Sequence, residues 1–477
     1  MGKQSTLHDS YGPLDERVER GKSLRKQVSR TSQGGYAPAA DRRDPIAVLE
    51  EQATTRVPEL LPIRYGRMAS SPFAFYRGAA AIMAMDLATT PVSGIKAQLC
   101  GDAHLVNFGI YNSPDRRLVF DLNDFDETLP GPWEWDVKRL AASLVVAGQD
   151  NGFSESETAT VVRKGVEQYR LAMAGFAGQR NLDVWYSRME VEAVVSDLRA
   201  RMDKQRAKAV KRNIAKFAAR DNLQAFGKLT TVVDGVPRFA SEPPLVVPLR
   251  ELAESEEFAG HDANAWVANA ARRVLSDYRR SLDDDRRHLI GQYEFTDLAR
   301  KVVGVGSVGT RAWIVLLLGR DETDPLILQF KEAGRSVLEP HIGESQYDQG
   351  GHRVVAGQRL MQATSDIFLG WYRGEGLDGV ARSFYVRQLR DGKGSIDVAA
   401  MDAPSLAAYA GLCAWTLARA HARSADRVAI ASYLGGSGSF DEAMVTFGHL
   451  YAEQNKLDHA ALVAAIADGR ITALQGV

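Results

Sequence analysis

Residues Cys100 to Glu127 read CGDAHLVNFGIYNSPDRRLVFDLNDFDE, crowding acids, amides and one histidine between two apolar runs. VNFGIY and RLVFDL have the composition of strands, and NSPDR between them is a turn by composition. A pairing that sets Tyr111 against Leu118 sets Phe108 against Asp121, with Asn107 beside that pair. Side chains placed this way across an antiparallel ladder lie roughly 5 Å apart at Cβ. One Mg²⁺, with oxygen ligands at about 2.1 Å, bridges such a gap. FDLNDFDE holds more acids than one ion needs, so Asp124 and Asp126 stand as alternates to Asp121. Asp121 and Asn123 share a strand face by period-two alternation, and Asp124 faces away unless the strand has ended.

A second chemical signal lies about two hundred residues later, in ARKVVGVGSVGTRAWIVLLLGRDETDPLILQFKEA. Gly304, Gly306 and Gly309 form a G-x-G-x-x-G pattern with Ser307 inside it. A dinucleotide site would need the third glycine to open a helix. Here RAWIVLLLG follows, rich in β-branched and aromatic residues, then the polar turn RDETDP and the run LILQFKEA. That is strand, turn, strand. A glycine loop between antiparallel strands is the phosphate cover of protein kinases, in which a lysine on a later strand contacts the phosphates and is held by a helix glutamate. Lys331 ends LILQFK, and Glu339 is preferred as its partner over Glu344 and the adjoining Glu332. Alone, Lys331 would read as an exposed strand-end lysine; after this loop the nucleotide role is favoured.

Asp102 precedes Asn107 by five residues, the Asp-to-Asn spacing of the kinase catalytic loop. Gly101, Asp102, His104 and Asn107, followed by Asp121, resemble the GD-x-H-x-x-N loop and strand-end acid of the aminoglycoside and choline phosphotransferase branch of the protein-kinase-like superfamily. Asp136 in WEWDVKRL matches a further Asp that this branch carries at a helix start. The resemblance implies ATP and Mg²⁺, with Asp102 as catalytic base and Asn107 and Asp121 as metal ligands. His104 joins Asp102 as a catalytic candidate, against a plainer loop-packing role. Two features depart from the pattern. Cys100 stands where His or Arg commonly precedes Gly-Asp, and the catalytic hairpin comes before the glycine loop. AWTLARAHARSAD, with His421, resembles the helix that normally precedes the catalytic loop, yet here it follows the β-rich block. The implied fold is α+β and circularly permuted, with two lobes: a mainly β nucleotide lobe and a mainly helical catalytic lobe. ARKVVGVGSVGTR, GQRLMQATSDIFLGW and FYVRQLRDGKGS make the chain resemble the uncharacterised bacterial DUF2252 family, grouped with these kinases.

These segments must be positioned by a chain of 477 residues, 45% of them hydrophobic, which suffices for more than one core. A formal net charge of −1 gives no global attraction for nucleic acid or anionic membrane. Two cysteines, Cys100 and Cys413, are too few for a disulfide framework and fit a reducing cytoplasm. No run is long and apolar enough to span a bilayer. The start lacks the apolar core of a secretory signal, and its acylation-like pattern at Gly2 and Thr6 is read as chance.

Four parts are expected: an N-terminal arm with helices (1–90), a helical catalytic lobe with the hairpin and a helical insert (91–290), a β-rich nucleotide lobe (291–400) and closing helices (401–477). SSPFAFYRGAAAIMAMDLA reads as one buried helix and WEWDVKRLAASLVVAGQD as an amphipathic one, with further helices from Glu155 to Lys216. Asp234-Gly235 marks a hairpin within Phe226–Phe239. Arg64, Arg67 and Arg77 are read as surface-paired rather than substrate-binding, and Trp133, Trp135 and Trp371 as core. A metallophosphoesterase is set aside because Asp102–His104 lacks the Asn-His elements of a two-metal centre. The expectation is an ATP- and Mg²⁺-dependent phosphotransferase for a hydroxyl or amine, small molecule before protein. A non-catalytic nucleotide-binding regulator, nucleotidyl transfer and a dinucleotide oxidoreductase are the rivals.

Overall fold

The β-branched and aromatic runs between Glu294 and Gln388 pair into an antiparallel sheet, as their composition favours. In spatial order its strands are Gly370–Glu375, Ala381–Gln388, Pro325–Glu332, Ala312–Leu318, Glu294–Lys301 and Val246–Pro248. The last comes from the segment expected to be a helical insert. Helix Gly350–Met361 lies against this sheet so closely that a Cβ on Gly351 would sit 2.2 Å from the Phe384 carbonyl oxygen. The computed structural model is α+β and describes residues 11–194, 222–252, 263–302, 304–375, 380–389 and 397–476. The pattern at Gly2 and Thr6, the expected helical stretch from residue 195 to Lys216 and the end of FYVRQLRDGKGS lie outside the described residues.

The chemical hairpin forms from Phe108–Asn112 and Leu118–Leu122, with Met189–Glu190 as a short third strand. Its register is one residue away from the expected one: Phe108 pairs with Leu122, Gly109 with Asp121 and Asn112 with Leu118. Ser113 to Arg117 make the link, closed by the Ser113 N–H to the Arg117 carbonyl at 2.8 Å, with Arg116 in the left-handed region at φ 63°. A one-residue slip exchanges the two faces of a strand, and that decides where Asp121 goes.

Helix Trp133–Asp150 matches its expected span, but it is buried on all sides from Trp133 to Gly148 rather than amphipathic. Helix Ala403–Ser424 packs along Glu155–Ala177 and beneath the hairpin, where the Tyr409 hydroxyl donates to the Leu105 and Phe108 carbonyls at 3.0 and 3.2 Å. The stretch expected as one helix divides into Pro72–Gly78 and Ala80–Leu87 at Ala79, with Ser71 accepting the Ala74 N–H as an N-cap. The basic N-terminal segment is a helix, Leu14–Gln27, held on the body by Arg17 to Asp426 at 2.8 Å. A Cβ on its Gly21 would lie 2.3 Å from the Ala429 carbonyl, so only glycine allows this approach. Asp234 and Gly235 both have positive φ, 50° and 76°, as a two-residue hairpin turn demands; strands Thr230–Val233 and Val236–Phe239 flank them. Among the described residues no helix is long and apolar enough to cross a membrane.

Candidate functional site

The loop before the hairpin is tied down from below. Asp136, in the first turn of its helix, accepts the Cys100 and Gly101 N–H groups at 2.8 and 3.1 Å. His421 lies under it, Nε2 3.3 Å from Asp136 Oδ2 and Nδ1 2.8 Å from the Tyr169 hydroxyl. Gly101 takes φ 84°, and a side chain there would strike the Glu127 carbonyl at 2.4 Å. Asp102 thereby projects from a rigid base. Its Oδ1 accepts from Arg139 Nε and Nη2 at 2.8 and 2.7 Å, and Arg139 is buried. Its Oδ2 lies 3.6 Å from His104 Nε2. Burial, only partly opposed by Asp102, pushes the His104 imidazole down to about 4, so it is neutral near pH 7. Asn107 Nδ2 donates to the carbonyls of Asp102 and Asp124 at 2.9 and 3.0 Å. Its Oδ1 is buried with no hydrogen-bond partner, an orphaned acceptor that calls for a ligand.

The slipped register removes Asp121 from the metal-binding candidates. It is buried, and its Oδ1 accepts from Arg419 and the Leu122 N–H, while Oδ2 accepts from the Ala363 N–H at 2.9 Å. Three hydrogen bonds from the surrounding fold thus hold its two oxygens. Just beyond the strand, Asp124 and Asp126 meet Lys331 instead. Lys331 Nζ lies 3.3 Å from Asp124 Oδ2 and also pairs with Asp126 Oδ2. The Tyr385 hydroxyl donates to Asp126 Oδ1 at 2.9 Å, and Ser307 Oγ lies 3.3 Å from Oδ2. Burial disfavours the ammonium, but Asp124 and Asp126 outweigh it and raise the Lys331 pKa. Burial and the neighbouring Asp124 push Asp126 up against the pull of Lys331. The glutamate assignment is also corrected: Glu339 accepts from the Ser336 N–H and Arg335 Nε at 3.0 and 3.1 Å. Glu344 pairs with Arg335, and Glu332 with Arg311 and Arg382.

The glycine segment is a single turn, Val305–Ser307, between Glu294–Lys301 and Ala312–Leu318. RAWIVLLLG and LILQFKEA form the antiparallel strands Ala312–Leu318 and Pro325–Glu332 on either side of the RDETDP turn, as expected, and no helix opens at Gly309. Gly309 adopts φ 88°, and its carbonyl accepts the Val57 N–H at 2.8 Å. A Cβ on Gly306 would be 3.1 Å from the Arg77 carbonyl, so the loop rests on the N-terminal helices. Between this loop and the hairpin lies a cavity of about 730 Å³, lined by Asp102, Asn107, Asp124, Asp126, Lys331 and the glycine turn. Small-molecule sites have this size.

Arg64, Arg67 and Arg77 also line the cavity, and Arg64 is fully buried, so surface pairing is the wrong reading for Arg64. Lys228, from the insert, reaches the same cavity. Arg139 is a functional residue the sequence reading missed; its three-residue offset from Asp136 puts both on one helix face, where they could have been found together. Among the described residues no three His, Cys, Asp or Glu side chains converge as a metal site. The set that suits Mg²⁺ is the Asn107 Oδ1 with the Asp124 carboxylate, since this ion usually takes one or two protein ligands and completes its octahedron with waters and phosphate oxygens.

The chain is thus an α+β protein with a polar cleft between a glycine turn and an acid-bearing hairpin. It belongs to the family described as "Uncharacterized protein conserved in bacteria (DUF2252)", matched over residues 56–465. No curated protein and no solved structure matches it.

Proposed function

We propose that this protein is an ATP- and Mg²⁺-dependent phosphotransferase of circularly permuted, two-lobed protein-kinase-like architecture, acting in the cytoplasm on a hydroxyl or amine of a small molecule. One observation carries the reading: Lys331, on the second strand after the glycine turn, pairs with Asp124 and Asp126, the former 207 residues earlier in the chain. A nucleotide phosphate cover, its lysine and two acids are then assembled around one cavity. We read Asp124-Phe125-Asp126 as the counterpart of the kinase D-F-G, whose Asp holds the metal. The contact between Asp136, His421 and the Cys100–Gly101 backbone supports the permuted order, because the helix bearing His421 comes last in the chain yet lies under the loop.

In this reading Asn107 and Asp124 would hold Mg²⁺, which would supply charge neutralisation for the nucleotide phosphates. Lys331 and the glycine-turn backbone bind those phosphates, and Ser307 with Asp126 orients that turn. Asp102, fixed by Arg139 through one oxygen, turns the other toward the acceptor and takes its proton. His104 stays neutral beside it and shapes the acceptor's entry. The test is a transfer screen over small alcohols, amino sugars and protein hydroxyls. A positioned base contributes about 10² to 10⁴ in rate, so Asp102→Asn should lose that much turnover and keep ATP binding. Undiminished transfer in that variant rejects the assignment. A nucleotide-sized mass gain on the acceptor, in place of a phosphate, makes the protein a nucleotidyl transferase.

A further inference from the structure

The cavity carries more positive charge than a nucleotide site of this design uses. Among the described residues that line it, eight are Lys or Arg and four are Asp or Glu. Lys331 is already matched by Asp124 and Asp126. Two of the cations stand on the N-terminal helices, where Leu61–Ala69 supplies Arg64 and Pro72–Gly78 supplies Arg77.

Arg64 is 0% exposed. Its Nη2 reaches the Gln52 Oε1 and the Gly78 carbonyl at 3.2 and 3.1 Å, while Nε and Nη1 have no hydrogen-bond partner. Arg77 Nε is buried and equally unpartnered. Among the described residues neither arginine has a carboxylate within ion-pair distance, so a buried guanidinium is left without its counterion. Such a group is costly unless something anionic completes it. The helix bearing it cannot retreat: a Cβ on Gly66 would sit 1.9 Å from the Leu474 carbonyl, and the Leu474 N–H donates to the Pro62 carbonyl at 2.8 Å. Arg77 connects this group to the chemistry, because its charge acts on both Asp102 and His104.

We propose that Arg64 and Arg77 form a phosphate-binding subsite on the acceptor side of Asp102, so that the acceptor is a small phosphate monoester bearing a free hydroxyl. The inference rests on the phosphotransferase reading and adds the substrate class to it. Guanidinium forks match phosphate oxygens geometrically, and a dianion answers the charge excess better than a lone carboxylate does. In the transfer step the acceptor oxygen forms a bond to the γ-phosphorus of ATP as the bond from that phosphorus to the β-bridging oxygen breaks. The acceptor proton goes to Asp102 and ADP leaves, while the acceptor's own phosphate is untouched.

The test titrates inorganic phosphate into the full-length protein by calorimetry, alone and with a saturating magnesium complex of a non-hydrolysable ATP analogue. Wild type should bind phosphate in both conditions. Arg77→Gln and Arg64→Gln should weaken phosphate at least tenfold and leave the analogue's affinity within twofold. A structural arginine would lower the melting temperature when replaced, whereas Arg64→Gln should leave it unchanged or raise it. Competition between phosphate and the analogue assigns the arginines to the nucleotide and overturns the proposal, as does unaltered phosphate binding in Arg77→Gln. If the analogue does not bind wild type, the phosphotransferase reading fails separately, and the phosphate titration still reports on the subsite.

Discussion

Replacing Lys331 by Met keeps the stem and removes the charge that joins the sheet to the hairpin. The ammonium is 3% exposed, Asp124 41% and Asp126 26%. Breaking a buried ion pair by deleting one partner costs about 3–5 kcal/mol. Solvent reaches both acids, which screens the residual repulsion, so roughly 2–3 kcal/mol is the expected loss for Lys331→Met. The loss should depend on pH. Lys331 pulls the Asp126 pKa down against burial and Asp124, so Asp126 takes up its proton at higher pH in the variant than in the wild type. Once Asp126 is neutral that pair is no longer there to lose, and the deficit must shrink as pH falls through the carboxylate range. Urea unfolding at pH 8 and pH 5 measures both terms. A neutralising second change, Asp126→Asn, should recover part of the pH 8 deficit, as expected for two residues in contact. ATP-analogue affinity should fall in Lys331→Met as well. Equal stability of variant and wild type at both pH values would refute the electrostatic link between sheet and hairpin.

Three other outcomes follow from the same geometry. Asp121→Asn should cost about 3–5 kcal/mol because it leaves Arg419 buried without its counter-charge, while Mg²⁺-dependent nucleotide affinity of the folded fraction stays as in wild type. His104 is held down to about 4, so its contribution to stability is complete above the ordinary histidine pKa of about 6.5 and is lost as pH falls through 4; His104→Gln should flatten that part of the stability profile. Glu127 is pushed up to about 7, by burial first, against the pull of Arg353 and the Val337 N–H. Its sign is opposite: its contribution is present below about 4.5 and lost as pH rises through 7, so Glu127→Gln should gain stability relative to wild type between pH 5 and pH 8, read by thermal unfolding.

What the sequence made legible was local. The Asp234-Gly235 turn, the strand that follows Gly309 and helix Trp133–Asp150 announce themselves through turn chemistry and periodicity within a dozen residues. The hairpin register did not, because Arg116 takes a left-handed conformation that few non-glycine residues adopt. From that single slip Asp121 changes from metal ligand to structural anchor. The partner of Lys331 was equally hidden: the acids lie more than two hundred positions away, while Glu339, near in sequence, is spent on its own loop. Arg64 was misread because arginine is almost never fully buried unless paired, and a binding cleft is where that rule breaks. Asp136 and His421 were aligned by motif, and the structure brings them to 3.3 Å.

The central claim is that one cleft holds a magnesium–nucleotide complex between the glycine turn and the Asp124 loop. Calorimetric titration of a non-hydrolysable ATP analogue, with and without Mg²⁺, against wild type and Asp124→Asn tests it directly. The account predicts that Mg²⁺ tightens binding to wild type and that Asp124→Asn abolishes this gain. No binding to wild type, or the same Mg²⁺ gain in both proteins, would contradict it.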